Sequence, residues 1–335
     1  MTMRRTLGRS GIEVSALGMG CWAIGGVTRA PIAAGSGAFG WGEVDDQEAI
    51  AAIRAAVAAG VTFFETADVY GGGHSEELLG RALEGRRHEV VIATKFGFAF
   101  DPYTRQMLGP DTSPAYIRRA CEGSLRRLRT DYIDLYQLHI GEYDPAHLDD
   151  VCDVLDRLVA AGKIRAYGWC TWADRLEGAR VFARRAACAS IQHPANVLQD
   201  APEMIALCEE HGLASIANAP LAMSLLTGKL TPETRFPEHD VRHGWDLRAG
   251  PQARQLEQVA QLREILTADG RSLVQGALAW LWARSPAIIP IPGFKTVRQA
   301  EENAAALRHG PLSQAQMRQI EQVLGRAGAH PAGAA

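Results

Sequence analysis

The fold is decided by residues 61–71, which read Val-Thr-Phe-Phe-Glu-Thr-Ala-Asp-Val-Tyr-Gly. The first five residues form a short apolar segment that ends on a carboxylate, and polar residues and a glycine follow. A strand that is apolar on both faces is typical of a buried parallel sheet, because a strand with one solvated face alternates apolar and polar residues. We therefore expect 61–65 to be a buried parallel strand with polar groups at its carboxyl end.

Similar short apolar segments recur along the chain, and helical patterns separate them. The predicted strands are 16–20, 61–65, 89–95, 132–139, 164–170, 190–192, 213–218 and 287–291, and the predicted helices include 47–59, 75–84, 114–128, 145–161 and 202–211. Residues 4–15, around Gly8-Arg9-Ser10-Gly11, are predicted to form a hairpin. Eight such units predict an α/β protein, a (β/α)8 TIM barrel with an N-terminal β-hairpin. The alternative is a doubly wound sheet, but no strand is followed by G-x-G-x-x-G.

Length and composition favour one large domain over residues 1–335. The formal net charge of -3 leaves no basic excess for nucleic acid or a membrane surface. The six cysteines include no C-x-x-C pair, which speaks against a zinc site and a disulfide framework and predicts reduced thiols. With no signal peptide or long apolar run, a cytoplasmic location is expected. We expect neither nucleic acid nor membrane as a partner, and no bound metal; the sequence leaves the oligomeric state open.

Polar side chains follow three neighbouring predicted strands. Glu65 ends the second strand and Tyr70 comes five residues later, Lys95 ends the third strand, and His139 ends the fourth. In a (β/α)8 barrel the carboxyl ends of the strands face the active site. Taken singly, each of these residues is typical of a solvated or packed position. Together they predict a catalytic group.

The chemistry of this group suits proton donation to a carbonyl oxygen. A tyrosine has an unperturbed pKa of about 10, and a neighbouring lysine cation lowers the pKa of the phenol. A carboxylate such as Glu65 would hold Lys95 in place and charged. His139 could orient a carbonyl oxygen by donating from a ring nitrogen.

At these residues the sequence resembles the aldo-keto reductase superfamily, and the resemblance covers nearly the whole chain. The matching stretches are 63–71, 93–96 (Ala-Thr-Lys-Phe), 134–139 (Asp-Leu-Tyr-Gln-Leu-His), 162–168 (Gly-Lys-Ile-Arg-Ala-Tyr-Gly), 225–229 (Leu-Leu-Thr-Gly-Lys) and 291–295 (Ile-Pro-Gly-Phe-Lys). The resemblance implies NADPH as cofactor, bound without a Rossmann domain. It also implies Tyr70 as general acid, Lys95 as the residue that lowers the pKa of the tyrosine, and His139 as the group that orients the carbonyl. Glu65 stands where the family has aspartate.

The resemblance also implies a cofactor-binding set, which departs from the family pattern near the nicotinamide. Cys170 and Thr171 replace the usual Ser-Asn, Gln192 is retained, and Asn218 replaces an aromatic residue. The full predicted set is Gly20, Cys21, Trp22, Cys170, Thr171, Gln192, Asn218, Pro220, Leu221, Gly293, Lys295, Arg298, Gln299 and Asn303. Lys295 and Arg298 favour NADPH over NADH. The alternative for this end is a capping box of Thr296 with Gln299, with Lys295 solvated.

Three functions remain open from the sequence. The first is an NADPH-dependent oxidoreductase that reduces an aldehyde or ketone, on a small carbonyl or sugar-like substrate. The second is redox-neutral chemistry on the same barrel, as a lyase, epimerase or dehydratase, motivated by Glu65 and the changed nicotinamide residues. The third is a non-catalytic cofactor-binding subunit. Substrate specificity is expected in the long connections 23–45, 97–112 and 221–250, where Trp22, Trp41 and Trp172 either line a pocket or pack.

Overall fold

The computed structural model describes residues 3–29 and 38–326. Its strands are β1 (Arg4–Thr6), β2 (Glu13–Ser15), β3 (Gly18–Gly20), β4 (Val27–Arg29), β5 (Ala38–Gly40), β6 (Phe63–Glu65), β7 (Val91–Phe96), β8 (Phe98–Phe100), β9 (Met107–Pro110), β10 (Ile133–Leu138), β11 (Ile164–Cys170), β12 (Cys188–Pro194), β13 (Ala214–Asn218) and β14 (Ile288–Pro290). Its helices are α1 (Asp46–Ala58), α2 (His74–Ala82), α3 (Pro114–Leu128), α4 (Leu148–Ala160), α5 (Leu176–Ala183), α6 (Pro202–Glu210), α7 (Gly250–Thr267), α8 (Leu273–Arg284), α9 (Val297–Ala305) and α10 (Gln314–Val323).

Eight parallel strands form the central sheet in the order β14-β13-β12-β11-β10-β7-β6-β3. Once the short hairpin strands are set aside, every neighbouring pair in this order is consecutive along the chain, so helices connect the strands on the outside. Gly20 pairs with Gly293 as an isolated parallel bridge, and the Gly20 amide donates to the Pro292 carbonyl at 3.0 Å. This contact brings the first and last strands together and nearly closes the barrel.

The hairpin of β1 and β2 covers the amino-terminal end of the barrel. Leu7, Ile12 and Val14 are buried, and they pack with inward-facing barrel residues in one apolar cluster. A separate and larger cluster fills the space between the sheet and the surrounding helices. The amino-terminal end is therefore filled by apolar side chains, and the polar strand ends lie at the opposite face.

The structure confirms the predicted barrel with its N-terminal hairpin, and the eight predicted strands occur in the predicted order. The long connections contain elements that the sequence reading left out. Strands β8 and β9 form a hairpin within 97–112, and β4 pairs with β5 within 23–45, part of which lies outside the described residues. The predicted helix 145–161 is divided, because a short 3-10 helix (Pro145–His147) precedes α4. Among the described residues, no helix combines the length and the apolar character needed to cross a bilayer.

Candidate active site

Lys95 lies at the centre of the polar strand ends. It is fully buried near the end of β7, and its ammonium group forms an ion pair with Glu65. The same group donates to the Thr66 carbonyl at 2.7 Å and to the Tyr70 hydroxyl oxygen at 3.0 Å. A lysine ammonium has three hydrogens, and these three partners account for them. The ammonium group is therefore fixed in one position.

Tyr70 is held in place by the turn after β6 and by an aromatic neighbour. Gly71 has φ +60°, and a side chain there would place its Cβ 1.9 Å from the Gly25 carbonyl oxygen, so this turn requires glycine. The Trp22 ring stacks on Tyr70, with 5.8 Å between ring centroids. The phenol is thereby directed at Lys95, whose nitrogen lies 4.5 Å from the tyrosine ring centroid.

Burial shifts the pKa values of this pair. Burial raises the pKa of Tyr70 above its usual range and outweighs Lys95, which acts in the opposite direction. Burial lowers the pKa of Lys95, but the Glu65 carboxylate and Tyr70 more than offset this and leave the pKa raised. The lysine therefore has the predicted effect on the tyrosine but does not determine the net direction. At neutral pH the phenol is protonated and the lysine is charged.

His139 lies beside Tyr70 and is free to bind a ligand. Its ring makes an edge contact with the Tyr70 ring, with 5.7 Å between centroids, and a similar contact with Phe98 at 5.8 Å. Its Nδ1 atom is buried and has no hydrogen-bond partner among the described residues. Burial, and then the charge of Lys95, lower the pKa of His139 well below its usual range. The imidazole is therefore neutral at pH 7 and has an unused polar atom.

Aromatic side chains surround the tyrosine and histidine. Trp22 meets Trp41 edge to face at 5.7 Å, and Phe98 packs against His139. Trp172 is 55% exposed and lies against Gly141. Two of the three predicted tryptophans therefore lie near Tyr70, and the third is at the surface. Sequence reasoning did not single out Phe98, although its place directly after β7 could have indicated it.

A chain of buried side chains connects Glu65 to the far wall of the barrel. The Gln192 amide nitrogen donates to Glu65 Oε1 at 2.8 Å, and the Gln192 oxygen accepts from the Gln137 amide at 2.9 Å. Ser190 donates to the Gln137 oxygen at 3.4 Å. Sequence reasoning did not select Gln137, whose signal was a polar residue within an otherwise apolar strand.

The remaining residues predicted to hold the nicotinamide have different partners. Thr171 donates its hydroxyl hydrogen to the Gly141 carbonyl at 2.6 Å. The Asn218 amide contacts only the Cys170 thiol, at 3.8 Å, and makes no other side-chain hydrogen bond to a described residue. Burial, opposed by Lys95, raises the pKa of Cys170 to about 12, so the thiol is protonated. Asn218 therefore has the most available amide in this group.

The loop after β13 holds a strained backbone. Ala219, Met223 and Ser224 have φ values of 48°, 52° and 82°, although none is glycine. Each such residue costs on the order of 1–3 kcal/mol, and strain of this kind clusters at ligand sites. Arg242 donates to the Ser224 hydroxyl at 3.0 Å and holds the loop. The predicted cofactor residues Pro220 and Leu221 lie in this loop; Leu221 is partly buried.

The start of α9 already has its polar groups occupied. Lys295 donates to the carbonyls of Trp41 and Glu43, both at 2.7 Å. Glu48 accepts from the Val297 amide at 2.9 Å, and Gln299 forms the capping box with Thr296 that the sequence offered as the alternative. The other predicted residues of this end also lie here: Arg298 is exposed, Asn303 donates to the Gly293 carbonyl at 3.2 Å, and Gly293 is exposed.

Strand β3 and the residue after it contribute backbone contacts near the loop that carries Tyr70. Gly20 joins the two edges of the barrel, and the Cys21 amide donates to the Glu65 carbonyl at 2.7 Å. Asp68, three residues after Glu65, is buried and accepts from the Tyr116 hydroxyl at 3.3 Å. Burial and the nearby Glu76 raise its pKa well above the usual range. These groups support the loop that carries Tyr70.

Comparisons with known proteins show the family to which the chain belongs. The profile of the Aldo/keto reductase family matches residues 31–324. The chain is 34% identical over 299 residues to aldo-keto reductase YhdN of Bacillus subtilis, covering 87% of this chain and 85% of that protein. It is also 34% identical over 296 residues to the Schizosaccharomyces pombe aldo-keto reductase yakc [NADP(+)], covering 84% of each.

Solved structures resemble the chain over nearly its whole length. The glycerol dehydrogenase AKR11B4 from Gluconobacter oxydans superposes with a TM-score of 0.81 at 29% identity, covering 98% of this chain and 97% of that one. An aldo/keto reductase from Klebsiella pneumoniae, solved in complex with NADP and acetate, superposes with a TM-score of 0.72 at 26% identity and covers 98% and 97%.

Proposed function

Because the chain belongs to the aldo/keto reductase family, we propose that it is an NADPH-dependent oxidoreductase that reduces an aldehyde or ketone to an alcohol. The observation that carries the proposal is the position of the Lys95 ammonium, 3.0 Å from the Tyr70 hydroxyl and paired with Glu65. A buried lysine in this position stabilises the phenolate that remains once the tyrosine has given up its proton.

The residues at the carboxyl end of the barrel fit this cofactor. Lys295 and Arg298 offer cations for a phosphate at the start of α9, which follows the last barrel strand. The Asn218 amide, held only by the weak contact to the Cys170 thiol, suits a carboxamide, and the strained loop after β13 suits a bound ligand. A relative named for NADP(+) and a similar structure solved with NADP support the same choice. When bound, NADPH supplies the hydride that adds to the carbonyl carbon.

The side chains of this site perform the proton transfer. His139, neutral at pH 7, donates a hydrogen bond to the carbonyl oxygen from a ring nitrogen and places that oxygen against the phenol. As negative charge develops on the oxygen, Tyr70 donates its proton. Lys95 stabilises the phenolate that forms, and Glu65 keeps Lys95 in place. The aromatic rings of Trp22 and Phe98 exclude water around the reacting oxygen.

The test is the substitution Tyr70→Phe, which keeps the ring and removes the proton. We expect kcat for carbonyl reduction to fall by about a thousandfold, since a positioned general acid contributes roughly 10²–10⁴. The dissociation constant for NADPH, measured by fluorescence titration, should stay within about threefold. A Tyr70→Phe enzyme that reduces a panel of aldehydes and ketones at the original rate would overturn the proposal.

A further inference from the structure

We propose that Gln137 and Gln192 are positioning residues: Gln137 orients the Gln192 amide, and Gln192 in turn holds the Glu65 carboxylate against Lys95. The inference rests on the proposed carbonyl reduction for its kinetic test. It gives Gln192 a task beyond holding the cofactor, and it gives a task to Gln137, which lies in the middle of the barrel wall on β10.

The direction of this hydrogen-bond chain is set by the charge at one end. Glu65 is paired with the Lys95 ammonium and is therefore a carboxylate, which can only accept hydrogen bonds. Gln192 must then turn its NH₂ group to Glu65 and its oxygen to Gln137. Gln137 must present its own NH₂ group and leave its oxygen for the Ser190 hydroxyl. A single arrangement satisfies every contact.

The barrel leaves space for this chain at Gly168. Gln137 on β10 and Ser190 on β12 both lie in register with Gly168 on the strand between them. A Cβ atom at Gly168 would lie 2.4 Å from the Ser190 hydroxyl oxygen. Because no side chain intervenes, the amides of Gln137 and Gln192 meet across β11.

The length of Glu65 matches the chain. One Glu65 oxygen contacts both the Lys95 ammonium and the Gln192 amide. An aspartate at this position would be shorter by one carbon–carbon bond, ~1.5 Å, and could not keep both contacts without a shift of the backbone. The glutamate is therefore the partner that Gln192 requires.

Burial makes these contacts strong. Glu65 is 2% exposed, Gln192 is 1% exposed, and Gln137 and Ser190 are fully buried. Hydrogen bonds strengthen in such surroundings, and an unpaired polar group there is costly. Removing the Gln137 amide leaves the Gln192 oxygen without its donor, so the Gln192 amide turns and releases Glu65.

The experiment replaces Gln137 by a residue of similar length without a donor, Gln137→Met. We expect kcat for carbonyl reduction to fall about tenfold, because displacements near 1 Å at a reacting centre cost up to about a hundredfold. The KM for the carbonyl should stay within about twofold. The matched control is Ser215→Ala, which removes another buried hydrogen bond of the barrel, to His193 at 2.8 Å, and should change kcat by less than about twofold.

Repeating Gln137→Met in a Glu65→Asp protein distinguishes a positioning role of Gln137 from a general loss of packing. In a Glu65→Asp protein, whose shorter carboxylate we expect to keep Lys95 and lose Gln192, Gln137→Met should lower kcat by less than about twofold. An equal tenfold loss in both backgrounds would overturn the proposal. A weakened NADPH affinity with unchanged kcat would overturn it as well, because the amide would then serve the cofactor alone.

A readout independent of activity is the crystal structure of cofactor-free Gln137→Met. We expect the Gln192 nitrogen to lie more than about 3.5 Å from Glu65, beyond hydrogen-bonding distance. A retained contact would overturn the proposal even if the wild-type protein reduced no carbonyl. If Gln137→Met does not fold, Gln137→Leu removes the same donor, and the same outcomes apply.

Discussion

Lys95 and Lys295, the two lysines of the candidate site, have different kinds of hydrogen-bond partners. Lys95 is bound by the groups that the proposed proton transfer uses, Glu65 and Tyr70. Lys295 is bound by two backbone carbonyls of the loop that leads into α1, at Trp41 and Glu43. The first region is complete without a ligand. In the second, backbone carbonyls hold the cation that we propose for the cofactor phosphate, so cofactor binding there would exchange one set of partners for another.

The largest effect on activity is expected from Lys95→Met, which removes the cation that contacts Glu65 and Tyr70. Glu65 would become a buried carboxylate without its cation, which costs about 3–5 kcal/mol, and the Tyr70 phenolate would lose its stabilising charge. We expect kcat to fall about a thousandfold and the unfolding temperature to drop, measured by steady-state kinetics and thermal unfolding. A kcat loss below about tenfold would show that Lys95 does not act on Tyr70.

A smaller effect is expected at the second region from Lys295→Met. Loss of the cation should raise the dissociation constant for NADPH about tenfold, since a charge-assisted contact to phosphate contributes roughly 1.5–3 kcal/mol. The dissociation constant for NADH, which lacks the extra phosphate, should change by less than about twofold. Fluorescence titration with both cofactors checks this. Equal weakening of the two would place Lys295 away from the phosphate.

Tighter binding of NADPH is expected from Glu48→Gln. The Glu48 carboxylate accepts from the Val297 amide at the start of α9, where it would compete with the phosphate that we propose binds there. Glutamine keeps the acceptor and removes the charge, so the dissociation constant for NADPH should fall about threefold. Glu43→Gln is the control, because Glu43 contacts Lys295 through its backbone. An unchanged affinity in Glu48→Gln would mean that the carboxylate does not compete.

The smallest effect on kcat is expected from a change of pH near neutrality. The pKa of Tyr70 is raised, so the acid stays protonated as pH rises, and the pKa of His139 is lowered, so the imidazole stays neutral as pH falls. Between pH 6 and 8 we expect kcat to change by less than about twofold. The KM for NADPH should rise toward pH 6, where a phosphate monoester gains a proton. A titration of kcat within this window would contradict the assignment of the neutral imidazole.

The barrel could be predicted from sequence because its signals are local and repeated. Each strand is a short apolar run, and the polar residues at the ends of β6 and β7 mark one face. The hairpins inside the long connections were not predicted, because pairs such as β8 with β9 depend on contacts that a short, irregular sequence does not reveal.

The sequence indicated the residues of the candidate site better than the contacts among them. The sequence pointed to Tyr70, Lys95 and His139, and the structure brings them together. It could not indicate that burial sets the net pKa shift of Tyr70, since burial depends on the whole fold. Nor could it indicate Glu48 at α9, because a contact between residues 249 positions apart leaves no local pattern.

The hairpin closes the amino-terminal end of the barrel. Leu7, Ile12 and Val14 fill that end, and Gly8 lies so close to the strands that a Cβ there would be 2.2 Å from the Ala189 carbonyl oxygen. In the proposed reduction, substrate and product must then both pass through the opposite face. An alcohol that leaves slowly would delay the next carbonyl by occupying its entrance.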